Sequence, residues 1–147
     1  MKAPLDSSDD PNDTSRHMHE STTTHGIQVE VESRFVPERS NAEQGEFFFA
    51  YEIRITNTTS NPVRLLNRHW IITDGWGRVE EVKGPGVIGQ QPWINPGESF
   101  AYESFCPLST PTGTMSGTYE MGSTDGPANI VSVEIPQFFL VEPGSFH

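Results

Sequence analysis

Gly84, Gly86 and Gly89 stand in the segment VKGPGVIGQQP, residues 82–92, in the order GxGxxG. Elsewhere that spacing lets a peptide backbone approach a dinucleotide pyrophosphate. Such a site also needs a helix opening at the loop, because the first amides of the helix and its dipole hold the anion. Here Gly89 is followed by QQPWINPGES, with Pro92, Pro96 and Gly97 close together, and no ordinary helix starts there. No Lys-Ser or Lys-Thr pair follows, and Lys83 is outnumbered by Glu80 and Glu81. What remains for a phosphate is a concave nest of glycine amides without a helix. The competing reading, which the flanking residues favour, is that the glycines supply positive φ and close strand contacts at a sheet corner.

Other reactive side chains are sparse. Cys106 precedes Pro107 with no base near it in the sequence, so a packed thiol is expected rather than a nucleophile. His69, in NRHWIIT, is a lone imidazole in a strand, and only a converging carboxylate or second His would make it more than a hydrogen-bonded residue. Glu80 and Glu81 are neighbours in a strand and point to opposite faces, which excludes a carboxylate pair. His17 and His19 lack a third ligand at a fixed distance. The expectation is therefore no catalytic residue, no metal and no cofactor. Trp76, in the turn-like DGWGR, and Trp93, between Pro92 and Pro96, are better leads. Rings on rigid turns make interface anchors at low entropic cost, or else fold back to cap the end of the domain.

The chain that must position these groups has 147 residues, enough for one core without covalent staples. Nine Lys and Arg against twenty Asp and Glu give a net charge of −11, which repels nucleic-acid backbones and anionic membranes. A single cysteine excludes an intrachain disulfide and suits a reducing compartment. With neither a signal-peptide stretch nor a long apolar run in sight, a cytoplasmic protein with an unidentified protein partner is expected. The glycosylation-type triplets at Asn12 and Asn57 then read as chance matches.

Residues 1–25 are polar and acidic, with few apolar residues, and read as a disordered tail. From Gly26 onward the texture becomes alternating. Ile27, Val29 and Val31 define one strand, and Phe47, Phe49, Tyr51, Ile53 and Ile55 a second. VRLLNRHWIIT ends at Asp74-Gly75, RVEEV follows, and Asn95-Pro96-Gly97 marks a type II turn before ESFAYESF. Met115 to Met121 alternates again, and NIVSVEIPQFFLVEP supplies one or two more strands, with Pro136 forcing a bulge or break. Trp70, Ile72, Tyr102 and Tyr119 join the core candidates. The fold class that results is all-β, an antiparallel β-sandwich of seven to eight strands of the immunoglobulin or fibronectin type III kind, over residues 26–147.

The combination RHW, GPGVIG, PGESFAYES and GTMSGTYEM, with GIQVEVESRFVPE before it and IPQFFLVEP after it, resembles the ApaG family over about residues 26–147. The resemblance implies a fibronectin type III-like sandwich. It also implies an association with cobalt and magnesium efflux or tolerance, and kinship with domains that serve as interaction modules in eukaryotic proteins. Of two functions, the first is a non-enzymatic protein-binding module presenting Trp76 and Trp93. The alternative is a site for a pyrophosphate-containing ligand, such as a dinucleoside polyphosphate, or a divalent ion near Gly84, Gly86 and Gly89. This chain departs from the family pattern in its long acidic tail and in those two tryptophans.

Overall fold

The computed structural model describes residues 18–123 and 126–144. Nine strands run through them: β1 (Met18–Thr24), β2 (Ile27–Phe35), β3 (Phe47–Asn57), β4 (Val63–Asp74), β5 (Val79–Pro85), β6 (Trp93–Ile94), β7 (Ser99–Leu108), β8 (Thr112–Ser123) and β9 (Gly126–Val141). Every pairing is antiparallel. One sheet has the order β1-β2-β3-β7 and the other β5-β4-β8-β9, with β6 added to β4 beyond the end of β5.

Alternation places the core as expected. Ile27, Val29 and Val31 of β2 and Phe49, Ile53 and Ile55 of β3 meet Leu65 of β4, Tyr119 and Met121 of β8 and Phe138 of β9. Burying each such side chain stabilises the fold by about 1.5–3 kcal/mol. Trp70 sits at the centre, edge-on to Tyr51, Tyr119 and Phe138 with ring centroids 5.5, 6.4 and 6.0 Å away. The Asn95–Glu98 turn closes through Glu98 N–H to the Asn95 carbonyl with Gly97 at φ +82. Pro136 produces a bulge rather than a break: Met115 pairs Phe138 and Gly117 pairs Ile135, so β9 carries one extra residue and continues.

Two strands were not expected. Residues 18–24 form β1, hydrogen-bonded along β2, so a disordered tail reaching to residue 25 is incorrect. A two-residue hairpin turn holds the pair together, with His25 and Gly26 both at positive φ, the geometry that matches strand twist. Thr24 Oγ1 also accepts the Glu134 amide of β9. His17 lies outside the described residues, and His19 faces Glu30 at 3.8 Å. The second addition is the short β6, which raises the count from seven or eight to nine.

The sandwich is closed unequally. On one side β9 packs against β1 and β2. On the other, the sheets end in the edge strands β5 and β7, and a cleft of about 450 Å³ lies between them. Among the described residues no helix is long and apolar enough to cross a membrane.

Candidate functional site

The glycine segment joins the end of β5 to β6. Its tip is a two-residue turn in which Val87 and Gln90 exchange both backbone hydrogen bonds at 2.8 Å. Ile88 at φ +42 and Gly89 at φ +78 occupy the two central positions. The Gly86 amide donates to the Leu66 carbonyl at 2.9 Å. The amides of Gly86, Val87 and Gln90 are thus engaged within the protein, which removes three of the donors a phosphate nest would use.

Each glycine has its own local reason. A Cβ on Gly86, which is at φ +62, would stand 2.1 Å from the Gln90 carbonyl oxygen. Gly89 needs only its positive φ, since a Cβ there would meet nothing within 4 Å. Gly84 has ordinary strand geometry and instead makes room for Arg68, whose guanidinium would lie 3.0–3.1 Å from an added Cβ.

Arg68 is where the loop meets the cleft. A bulge in β4 between Leu65 and Asn67 shifts its phase, so Arg68 stands in register with the buried Tyr119 on one side and with Gly84 on the other. Its Nη1 donates to the carbonyls of Pro85 and Gly86, both at 2.9 Å. The cleft wall beside it carries Tyr51, Trp70, Tyr102, Ser104 and Cys106, with Glu80 from the edge strand. Tyr102 and Tyr119 share a buried hydroxyl–hydroxyl hydrogen bond at 2.5 Å. Burial raises the hydroxyl pKa of Tyr51, Tyr102 and Tyr119 against the smaller opposing pull of Arg68. Burial also pushes the Cys106 thiol up to about 12, helped by the charge of Glu80, which makes it an inert packed residue.

His69 points the other way and does meet a carboxylate: its Nε2 lies 2.7 Å from Glu81 Oε1, with both side chains partly exposed. Glu80 lines the cleft while Glu81 faces outward, the opposition expected of strand neighbours. Among the described residues no three His, Cys, Asp or Glu side chains converge as a metal site. Asn57 is fully buried, its amide donating to the Asn61 and Ile94 carbonyls, which rules out the folded protein as a glycan acceptor there.

Neither lead tryptophan folds back. Trp76 is 70% exposed and Trp93 49%. They stand at opposite ends of β4: Trp93 pairs Arg64, whereas Trp76 follows Asp74 in the β4–β5 turn. At about 3.3 Å per residue the ends are roughly 33 Å apart, so the two rings belong to two surfaces. The Trp76 turn is firmly braced. Asp74 Oδ1 accepts the amides of Trp76 and Arg78, and its Oδ2 accepts Arg78 Nε, all at 2.9 Å. For the Asp74 carboxyl, loss of solvent pulls the pKa upward, but these hydrogen bonds outweigh it and hold the group below its usual value. The Arg78 guanidinium lies 4.5 Å from the Trp76 ring centroid, and the Gly75 amide donates to Thr110 Oγ1 across the end of the sandwich. Exposed Val79 lies just beyond the turn.

Sequence spacing found Trp76, Trp93 and the glycines but not Arg68, Tyr102 or the His69–Glu81 pair. The pairing registers of β4 with β5 and β8 assemble those groups, and no local motif marks them.

Comparison with known proteins agrees with the fold. A family model described as ApaG domain matches residues 37–123. The Protein ApaG of Bdellovibrio bacteriovorus is 47% identical over 126 residues, covering 86% of this chain and 98% of its own length. That of Bordetella pertussis is 50% identical over 123 residues, covering 82% and 91%. A crystal structure from Bordetella pertussis, 50% identical, superposes with a TM-score of 0.77 over 81% of this chain and 95% of its own.

Proposed function

The chain belongs to the ApaG family, and on that footing we propose that it is a non-enzymatic binding module whose β4–β5 turn docks a protein partner in the cytoplasm. The observation that carries this reading is Trp76, the most exposed large apolar side chain among the described residues and yet clamped by Asp74 and Arg78. A large ring held in place in solvent loses little entropy on binding and buries much area, the profile of an interface hot spot. The Asp74 bonds fix the backbone of the turn and Arg78 lies over one face of the ring, so the exposed ring is presented on a rigid support. On this reading any link to cobalt or magnesium efflux runs through the partner. A pyrophosphate-containing ligand or divalent ion at the glycine loop stands second, because the amides of Gly86, Val87 and Gln90 are already bonded.

The test is affinity capture from bacterial lysate with the wild type, Trp76→Ala and Trp93→Ala, each first shown to be folded by its melting temperature, with bound proteins quantified by mass spectrometry. The expected result is a species held by the wild type and by Trp93→Ala but lost with Trp76→Ala. Equal recovery by all three would sink the assignment to this turn.

A further inference from the structure

Two donors at the cleft between β5 and β7 are bonded to no acceptor among the described residues. Arg68 spends Nη1 on two carbonyls, and among the described residues no acceptor takes Nε or Nη2 and no carboxylate lies within ion-pair distance of the guanidinium. In a chain with twenty acidic residues, composition does not force an inward-facing cation to go without an acid.

Tyr102 adds a second donor. Two phenol groups carry two protons, and the Tyr102–Tyr119 bond uses one. No further acceptor serves either hydroxyl among the described residues. Tyr119 is fully enclosed, whereas Tyr102 lines the cleft. Leaving the spare proton on Tyr119 would strand an unsatisfied donor in the core, which costs more than leaving it where the cleft can satisfy it. The favoured arrangement has Tyr119 donating to Tyr102 and Tyr102 donating into the cleft.

Around these donors the wall is apolar and aromatic: Trp70, Ile72, Val82, Val87 and Met115. The volume, about 450 Å³, falls among pockets that enclose small molecules, roughly 300–1,000 Å³. Exposed Ile88 stands at the loop side of the opening. It is a β-branched residue held at φ +42, where such side chains are outliers, and strain of this kind gathers at functional sites.

We propose that this cleft binds a small amphipathic monocarboxylate, its headgroup on the Nε–Nη2 edge of Arg68 and the Tyr102 hydroxyl, its apolar body against Trp70, Val82 and Met115. One free edge of a guanidinium matches the two oxygens of one carboxylate. Glu80 at the edge of the cleft and the net charge of −11 count against a more highly charged phosphate ligand. The site is separate from the Trp76 turn and stands or falls without it.

The experiment follows the Trp70 indole N–H by NMR in the full chain while 3-phenylpropanoate, 3-phenylpropan-1-ol or 3-phenylpropylamine is added at pH 7 and constant ionic strength. The carboxylate should shift the signal saturably, at least about fivefold more tightly than the alcohol, and the amine should leave it in place. Arg68→Met should reduce the carboxylate to the level of the alcohol. Because Arg68 also braces the glycine loop, Val82→Phe provides a second variant: it fills the cleft while keeping the Arg68 side chain and its bonds to Pro85 and Gly86, and should abolish both shifts in a protein that melts as the wild type does. Equal affinity for acid and alcohol would overturn the proposal. So would carboxylate binding that survives Val82→Phe, a carboxylate preference retained by folded Arg68→Met, or no shift at about 10 mM, beyond which affinity falls below about 3 kcal/mol.

Discussion

Replacing Gly86 by Ala separates a loop built for geometry from one built for phosphate. Gly86 has φ +62, and its Cβ would lie 2.1 Å from the Gln90 oxygen and 2.9 Å from the Gln90 carbonyl carbon, backbone atoms that no side-chain rotation can move aside. The left-handed conformation alone costs about 1 kcal/mol for Ala. Moving Gln90 away then breaks the reciprocal Val87–Gln90 bonds, worth about 1 kcal/mol each. The expected loss is about 3 kcal/mol, and at roughly 3–4 °C per kcal/mol for a domain of this size the melting temperature falls by about 10 °C. Gly89→Ala is the internal control: its φ is also positive, but the space is open, so it should cost only about 1 kcal/mol. Urea unfolding of the three proteins, with the slope checked for constancy, reads the difference directly. Near-equal losses for Gly86→Ala and Gly89→Ala would refute the reasoning, because the close approach to Gln90 would then have no consequence.

Native Cys106 should resist iodoacetamide at pH 8 and react only on unfolding; labelling as fast as a free thiol would contradict its burial. Stability should be level from about pH 7 to about pH 9 and decline above it. The Cys106 thiol ionises from its ordinary value of 9.0 in the unfolded chain but only near 12 in the fold, and buried Tyr51, Tyr102 and Tyr119 add to the decline from their ordinary value of 10.0 upward. Each such group removes up to about 1.4 kcal/mol per pH unit within its window, and urea midpoints measured from pH 7 to 11 would show it. A chain beginning at Gly26 should be less stable than one beginning at Met18 by several kcal/mol, since it loses the β1 ladder at about 1 kcal/mol per bond; equal melting temperatures would mean that β1 adds nothing. Gly117→Ala should be severely destabilising and lower the melting temperature, its Cβ meeting the His69 carbonyl oxygen at 2.0 Å where β8 pairs with β4.

The core strands were legible because one buried face forces a period of two, and β2, β3, β7 and β8 keep that phase throughout. β4 does not. Val63 and Leu65 face inward, the bulge before Asn67 inserts one residue, and Trp70 is then the buried position. Alternation counted forward from Val63 and Leu65 therefore puts Arg68 outside, whereas counted back from Trp70 and Ile72 it puts Arg68 inside, and only the bulge decides between the two. β1 was missed because MHESTTT buries almost nothing and its order comes from pairing with β2. The signal present was Thr24-His25-Gly26-Ile27, a two-residue turn between β-branched residues. The two tryptophans looked like one surface because they stand only seventeen positions apart in sequence; twelve-residue β4 holds them apart in space. Similarly, Glu81 reaches His69 only through the β4–β5 register, in which Ile71 rather than His69 is its direct partner.

Isothermal titration of the purified captured partner against wild type, Trp76→Ala and Trp93→Ala tests the central claim most directly. If the braced turn is the docking anchor, Trp76→Ala should weaken binding by about 2–4 kcal/mol, roughly 30- to 1,000-fold. Trp93→Ala, at the far end of β4, should change it less than about threefold. A Trp76→Ala protein that is folded and binds the partner as tightly as the wild type would contradict the account.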